Sequence, residues 1–544
     1  MSQSATNETY DIAIVGSGFA GSLLAIIARR LGYSVVLIER GTHPRIVIGE
    51  STTPLTNLLL EELCDRYQLA EIRSFSKWGT WQHAHPEVAC GLKRGFTFYH
   101  HSLDHPSREP DPEHARQLLV AASPHDGIAD THWYRADFDQ FLMEAARRAG
   151  ADYFDHVLLD RCTDCSDFAR LEGMRLEDPS GEPIAFRARF VVDATGPRGF
   201  LHRSLGLTEH PVADLPPTRA LYSHFTGVAR LADARPQGET PPYPVDDAAV
   251  HHTFPGGWIW VLQFNNGITS AGVAATHEKS LQLGFSHDSG VNNRQRLFAR
   301  AWHNLLARIP ALRQQFAHAE AIRPFSLIPR ISFRSAKIAG RNWAQLPSAA
   351  GFVDPLLSTG FPLTLLGVQR LARILESGLD APDRGARFAE YAAQTDAELL
   401  AAARLIAALY ASTDNFAVFT PLTMLYFAAV SYSETAHRLG KPELASSFLL
   451  HNHPHFGPAM EKLLAQARTV RTPEQSAQFS EEVRSAIDPI NVAGLADPGR
   501  RNWYPVVADD LRANADKLGA TREDVEQLLD RCGFHAGASV SQQA

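Results

Sequence analysis

The segment Gly16-Ser17-Gly18-Phe19-Ala20-Gly21 has the residue types needed to hold a pyrophosphate. Gly16 permits a tight turn. Gly18 lets backbone N–H groups meet the phosphates at a helix N-terminus, and Gly21 lets that helix pack on a strand. Phe19 and Ala20 complete the loop, and Glu39, 18 residues past Gly21, is placed to accept hydrogen bonds from a ribose. Far downstream, Asp354 and Ser358-Thr359-Gly360 precede a helix expected from about Leu363. An acid before a helix start suits the ribityl chain and ring of an extended FAD. Trp258 and Trp260 lie one residue apart in an apolar run. With Leu262 and Phe264 they share one face of a strand and make it an aromatic wall, whereas Ile259, Val261 and Gln263 share the other face. Indoles of this kind also suit a plain core. Lys93, in Cys90-Gly91-Leu92-Lys93-Arg94-Gly95-Phe96, is a candidate amine for chemistry, although taken alone it reads as a solvated lysine.

These residues need elements to position them. Asp11 to Val15 is a continuous apolar run, as a strand buried on both faces requires. Leu23, Leu24, Ile27, Ala28 and Leu31 recur at helical spacing, Gly32 ends that helix, and Ser34 to Ile38 forms the next strand. Phe190 to Asp193 is a further buried strand ending at Ala194-Thr195-Gly196. Leu221 to Leu231 and Val250 to Val273 read as antiparallel strands, with a hairpin signal at Asn265-Asn266-Gly267. The expected organisation is a discontinuous FAD-binding domain over 1–220 and 335–380. An antiparallel-sheet substrate domain covers 221–334, and a helical region over 381–544 caps the substrate cavity. No second glycine-rich fingerprint supplies a dedicated nicotinamide domain, so reduced flavin is expected from a separate NAD(P)H-dependent flavin reductase.

Composition bounds the classes. The chain has 544 residues, a net charge of -8, 44% hydrophobic and 21% charged residues. A negative balance argues against a general nucleic-acid role. Five cysteines in so long a chain suggest a reducing cytoplasm rather than a disulfide scaffold. Cys162-Thr163-Asp164-Cys165 is a lone pair without zinc-site spacing, so no metal is expected. The polar N-terminus is not expected to be a signal peptide. The apolar run Phe416 to Ser433, which contains Pro421, reads as a buried or pocket-lining helix rather than a membrane span.

Over most of residues 10–440 the chain resembles the flavin-dependent halogenases. The glycine loop fits their first motif. His43-Pro44-Arg45 and Gly49-Glu50-Ser51-Thr52-Thr53-Pro54 look like the segment after their second strand, and Tyr134-Arg135-Ala136-Asp137-Phe138-Asp139 is similar to the element whose arginine helps hold FAD. Trp258 and Trp260 fit part of the family's WxWxIP signature, and Asp354 to Gly360 fits the loop near which halide binds. Lys93 lies where the family places its active-site lysine, in a segment most like the branch acting on phenols and pyrroles.

The resemblance implies an α/β, Rossmann-like FAD-binding fold of the GR2 (PHBH-type) class. It implies FAD, as FADH2, with O2 and a halide ion. Arg45, Gly49, Glu50, Ser51 and Arg135 would join the glycine loop, Glu39, Asp354 and Gly360 around the cofactor. Ser358, Thr359 and Gly360 would hold the halide. Hypohalous acid would cross an internal passage to Lys93, which forms a haloamine or hydrogen-bonds the acid. Trp258 and Trp260 would keep flavin chemistry away from a small aromatic substrate, free or tethered to a carrier protein. Arg94 beside Lys93 would help keep the lysine neutral. Two departures stand out: Leu262-Gln263 replaces Ile-Pro in the signature, and Leu357 stands where the tryptophan-specific branch carries a glutamate. A flavin monooxygenase on the same scaffold, or a flavin-binding protein without halogenating activity, is the alternative.

Overall fold

The computed structural model describes residues 9–535 apart from 105–110, 112, 165–166, 177–180, 213, 232–239 and 286–290. Cys165 lies outside the described residues, while Cys162 is buried.

The chain opens with strand β1 (Thr9–Val15), helix α1 (Phe19–Arg30) and strand β2 (Val35–Ile38). Every residue of β2 is buried, which is why it reads as one apolar run. Helix α2 (Pro54–Tyr67) follows, capped by Thr53, whose side chain accepts from the Thr56 N–H. Four short strands come next: β3 (Cys90–Lys93), β4 (Gly95–His100), β5 (Gln117–Ala121) and β6 (Asp130–Trp133). Helix α3 (Arg135–Arg148) then leads to β7 (Asp152–Phe154), β8 (Val157–Asp164), β9 (Ala169–Arg175) and β10 (Pro183–Asp193). The middle of the chain supplies β11 (Thr218–Thr226), β12 (Ala249–Phe254), β13 (Gly257–Gln263) and β14 (Thr269–Thr276). Three long helices follow: α4 (Gly360–Glu376), α5 (Arg384–Ala411) and α6 (Phe416–Arg438).

One sheet has the order β7-β2-β1-β10-β9-β8, with Trp343–Gln345 also paired to β10. Its β7, β2, β1 and β10 run parallel, as a Rossmann-like half requires. The second sheet runs β11-β14-β13-β12-β4-β5 and is mostly antiparallel, although β12 and β4 are parallel. Trp503–Tyr504 adds to it beside β5. The second sheet therefore draws on strands outside the expected 221–334, at 95–121 and 503–504. Those strands are short, and what places them is long-range pairing, which local periodicity does not encode.

The second sheet has two apolar faces. Ile259, Val261 and Val273 pack into one core cluster, whereas Trp258, Trp260 and Leu262 pack into the other. The second cluster also contains much of α5 and α6. Helix α6 is the one described helix long and apolar enough to cross a membrane, and 89% of its apolar window is buried inside the protein. It is a core helix covering the tryptophan face, and Pro421 sits within its second turn.

Candidate active site

Three helix N-termini converge at the glycine loop. Phe19 opens α1, Arg135 opens α3 and Phe361 is the second residue of α4. The Phe19 and Phe361 rings lie 5.0 Å apart, and the Arg135 guanidinium lies 5.0 Å from the Phe19 ring. Each helix end carries unpaired N–H groups and the positive end of a dipole, so the site favours an anion. The loop is shaped for close approach. A Cβ on Gly21 would stand 2.0 Å from the Gly16 carbonyl oxygen, and Gly16 itself has φ +104°.

Two cations flank the loop. A Cβ on Gly18 would meet Arg135 Nη2 at 3.5 Å and Arg45 Nη2 at 3.6 Å. Arg135 is fixed by a two-pronged bond to the fully buried Asp139, at 2.7 and 2.8 Å, and donates to the Gly49 carbonyl at 2.9 Å. Glu39 accepts from the Ser17 N–H at 3.0 Å and the Gly41 N–H at 2.9 Å, and pairs with Arg45 at 3.4 Å. Burial by itself would raise its pKa. Arg45 and the two backbone donors outweigh that and hold Glu39 below the usual carboxylate range. An ionised Glu39 suits a ribose hydroxyl. Arg45 Nε and His43 Nδ1 are buried without a partner. A dinucleotide with anionic phosphates fits this donor set.

The 49–53 segment runs beside β6. Trp133 N–H donates to the Glu50 carbonyl at 2.6 Å, and Ser51 bridges to His132. In extended backbone successive side chains alternate. Glu50, expected at the cofactor, gives its carboxylate to His224 at 2.8 Å, and both side chains are 2% exposed. Ser51, also expected there, turns its hydroxyl to Lys93 instead.

Lys93 is completely buried. Its ammonium donates to Ser51 Oγ at 2.9 Å and to the Thr52 carbonyl, and lies 3.8 Å from the centre of the Phe96 ring. The expectation of help from Arg94 does not hold. Arg94, at the junction between β3 and β4, pairs instead with Asp126 at 2.7 Å and donates to the Pro124 carbonyl at 2.7 Å. Burial is what pushes the Lys93 pKa down, while Asp130 opposes it.

Around Lys93 the walls are aromatic. Phe96 and Phe98 of β4 stack with His251 of β12, and His251 lies 5.2 Å from Trp258. From α6, Phe427 and Tyr426 meet Phe96, and Phe419 meets Phe98. Helix α6 thus covers the Phe96 and Phe98 rings beside the lysine. Gln263 turns away from the tryptophans and donates to the Ala229 carbonyl at 3.4 Å, so its replacement of proline leaves the indole face in place. Its carbonyl also presses on β3: a Cβ on Gly91 would lie 2.1 Å from Gln263 O.

The loop after Asp354 is held by that side chain, which accepts from the Leu356 N–H at 3.0 Å. Leu357 and Ser358 have φ of +63° and +54°, a costly region for residues with a Cβ. Thr359 and Gly360 then begin α4, where the first N–H groups have no acceptor within the helix. Backbone N–H groups in such a turn can receive an anion. Sequence reasoning missed Tyr410, Asp130, Asn57, His132, His251 and Tyr426. Tyr410 and Tyr426 sit in ordinary helical patterns with no local signal. Asp130 and His132 had one, since two polar residues alternate in a strand just before the Arg135 motif.

The tryptophan halogenase family profile matches residues 130–417, and a profile for NAD(P)-binding Rossmann-like domains matches 14–53. Monodechloroaminopyrrolnitrin halogenase PrnC of Pseudomonas fluorescens is 29% identical over 393 residues, covering 72% of this chain and 66% of that protein. Tetracycline 7-halogenase of Kitasatospora aureofaciens is 28% identical, covering 69% and 64%. The chain thus spans just under two thirds of the length of either relative. Halogenase PltM, solved with phloroglucinol and FAD, superposes with a TM-score of 0.76 at 23% identity, covering 90% of this chain and 99% of that one. By the extent of the family match, this chain belongs to the tryptophan halogenase family of flavin-dependent halogenases.

Proposed function

We propose that this protein halogenates an electron-rich aromatic compound, phenolic or pyrrole-like, using FADH2, O2 and a halide ion. The observation that carries the reading is Lys93, sealed under an aromatic roof and held by Ser51 and Thr52. Bound reduced FAD, with O2, supplies the oxidising power that turns halide into hypohalous acid. The chain's residues do the rest. Arg45, Arg135 and the N-terminus of α1 bind the pyrophosphate, and Glu39 takes the ribose. Backbone N–H groups at Thr359 and Gly360 hold the halide. Trp258 and Trp260 close the wall that keeps substrate from the flavin. The free amine of Lys93 then takes the halogen: an N–X bond forms, the O–X bond breaks, and water leaves with the amine proton. A ring carbon attacks that halogen. Placement and exclusion of water are the protein's contribution.

The relatives' names include halogenases of pyrroles bound to a peptidyl-carrier protein, so the substrate panel includes free and carrier-tethered rings. Leu357 offers no carboxylate at the halide loop, which disfavours free tryptophan. Reduced flavin comes from a separate reductase. The test combines purified protein, FAD, a flavin reductase, NADH, O2 and bromide or chloride with phenol and pyrrole probes. Halogenated product is expected. Hydroxylated product without halogen sinks the reading in favour of a monooxygenase.

A further inference from the structure

Lys93 and Asp130 face each other in register on the two-stranded ribbon β3–β6. Directly opposed residues of an antiparallel pair project to the same face with Cβ atoms about 5 Å apart. Asp130 is 4% exposed and Lys93 is fully covered. Asn57 of α2 donates to Asp130 Oδ1 at 2.6 Å, and Asp130 Oδ2 is buried with no partner. A carboxylate oxygen left in this state in a closed pocket is costly unless a proton or another donor reaches it.

The other charged and titratable groups around the pair do not take this place. From β6, His132 gives one ring nitrogen to the Ala248 carbonyl. From β12, His251 gives one to its own strand at Ala249. Burial, with Lys93 nearby, keeps both imidazoles neutral through the physiological range. From α6, the Tyr426 hydroxyl is buried without a partner, and burial with Asp130 nearby drives its pKa up, so it stays protonated. Glu434 and Arg438, further along α6, pair with each other. Arg94 faces the other way, onto Asp126.

Resting on the proposed halogenase reading, we infer that Asp130 is the proton partner of Lys93, the two holding one exchangeable proton between them. In one state Lys93 is an ammonium and Asp130 a carboxylate. In the other Lys93 is a free amine and Asp130 a carboxylic acid, and the pocket is net neutral in both. The free-amine state accepts halogen from hypohalous acid. In the transfer step Asp130 gives its proton to the Lys93 nitrogen as the N–X bond breaks, its electron pair staying on nitrogen. The ring carbon forms the C–X bond, and the ring proton returns to Asp130. Atoms and charge balance without a further reactant. The carboxylate that Leu357 does not supply from the halide loop is here supplied from β6, and Asp130 acts through Lys93 rather than on the ring.

The test separates this pair from the activity. The chain has seven lysines, so 13Cε-lysine NMR of the full-length protein, assigned with Lys93→Arg, follows the Lys93 titration directly. Asp130→Asn removes the negative partner, and the Lys93 midpoint is expected to fall by at least one pH unit. Halogenation is expected to fall tenfold or more while flavin reoxidation continues, although more Lys93 is then free amine. Asp130→Glu restores the Lys93 titration and part of the halogenation, and stands in if Asp130→Asn does not fold. An unmoved Lys93 titration in Asp130→Asn overturns the pair, as does halogenation equal to the parent's. A moved Lys93 titration in Asp130→Asn, together with a parent protein that makes no halogenated product, removes the halogenase reading and keeps the pair.

Discussion

Trp258 reaches Asp354 through a single phenol: the indole N–H donates to the Tyr410 hydroxyl at 3.1 Å, and that hydroxyl donates to Asp354 at 3.0 Å. All three side chains are buried. The chain ties β13 of the second sheet, the loop before α4 and helix α5 into one polar link inside an apolar core. Such links are worth most when complete, since an orphaned buried group forfeits its full solvation.

Tyr410→Phe removes both bonds and leaves an indole N–H and a carboxyl oxygen unpaired. The expected loss is about 1–3 kcal/mol of stability, read from the denaturant midpoint. A midpoint equal to the parent's shows that the link does not hold the wall to the loop.

Asp354 gives a pH dependence. Burial pushes its pKa up to about 7, against the pull of the Leu356 N–H and Tyr410. The folded state therefore keeps this proton where the unfolded chain, with an Asp pKa near ~4, has lost it. This term stabilises the fold below the unfolded pKa and fades as pH rises towards 7. Asp354→Asn should remove part of that slope in the cofactor-free protein, so its stability relative to the parent should rise by on the order of 1–2 kcal/mol from pH 4 to 7. Parallel pH curves for the two proteins contradict the assignment.

How much of this was legible beforehand depends on the range of the contact. The glycine loop, Glu39 and the buried run Ile12–Val15 announce themselves because a βαβ unit is local, and each residue's type follows from a turn, a helix end or a buried strand. Trp258 and Trp260 were assigned to one face because a strand has a period of two. Arg94 is adjacent to Lys93 in sequence but not in space: it lies at the junction between β3 and β4, and its side chain is drawn to Asp126. Tyr410 was invisible for a different reason: it reaches Trp258 and Asp354 across many residues through packing that no local pattern encodes. The alternation of Asp130 and His132 is local, but the pairing of Asp130 with Lys93 is not.

Arg135 is expected to bind through its fork. Its two bonds to Asp139 and one to Gly49 need a planar guanidinium. Arg135→Lys keeps the charge and loses that geometry, so FAD affinity should fall about tenfold or more, equivalent to about 1.4 kcal/mol, by fluorescence titration. Unchanged affinity removes Arg135 from the cofactor site.

Gly91 tests how closely β3 must approach β13. A methyl group there would press on the Gln263 carbonyl at 2.1 Å. Gly91→Ala should cost about 1–3 kcal/mol and shift the Lys93 strand, lowering halogenation more than FAD binding. A variant as stable and active as the parent shows that the ribbon has room to move.

The central claim is that Lys93 carries halogen to the substrate. Lys93→Ala, supplied with flavin reductase, NADH, O2, bromide and a phenol, should consume NADH and O2 at the parent's rate and yield no brominated product by mass spectrometry. Brominated product at the parent's level would contradict it.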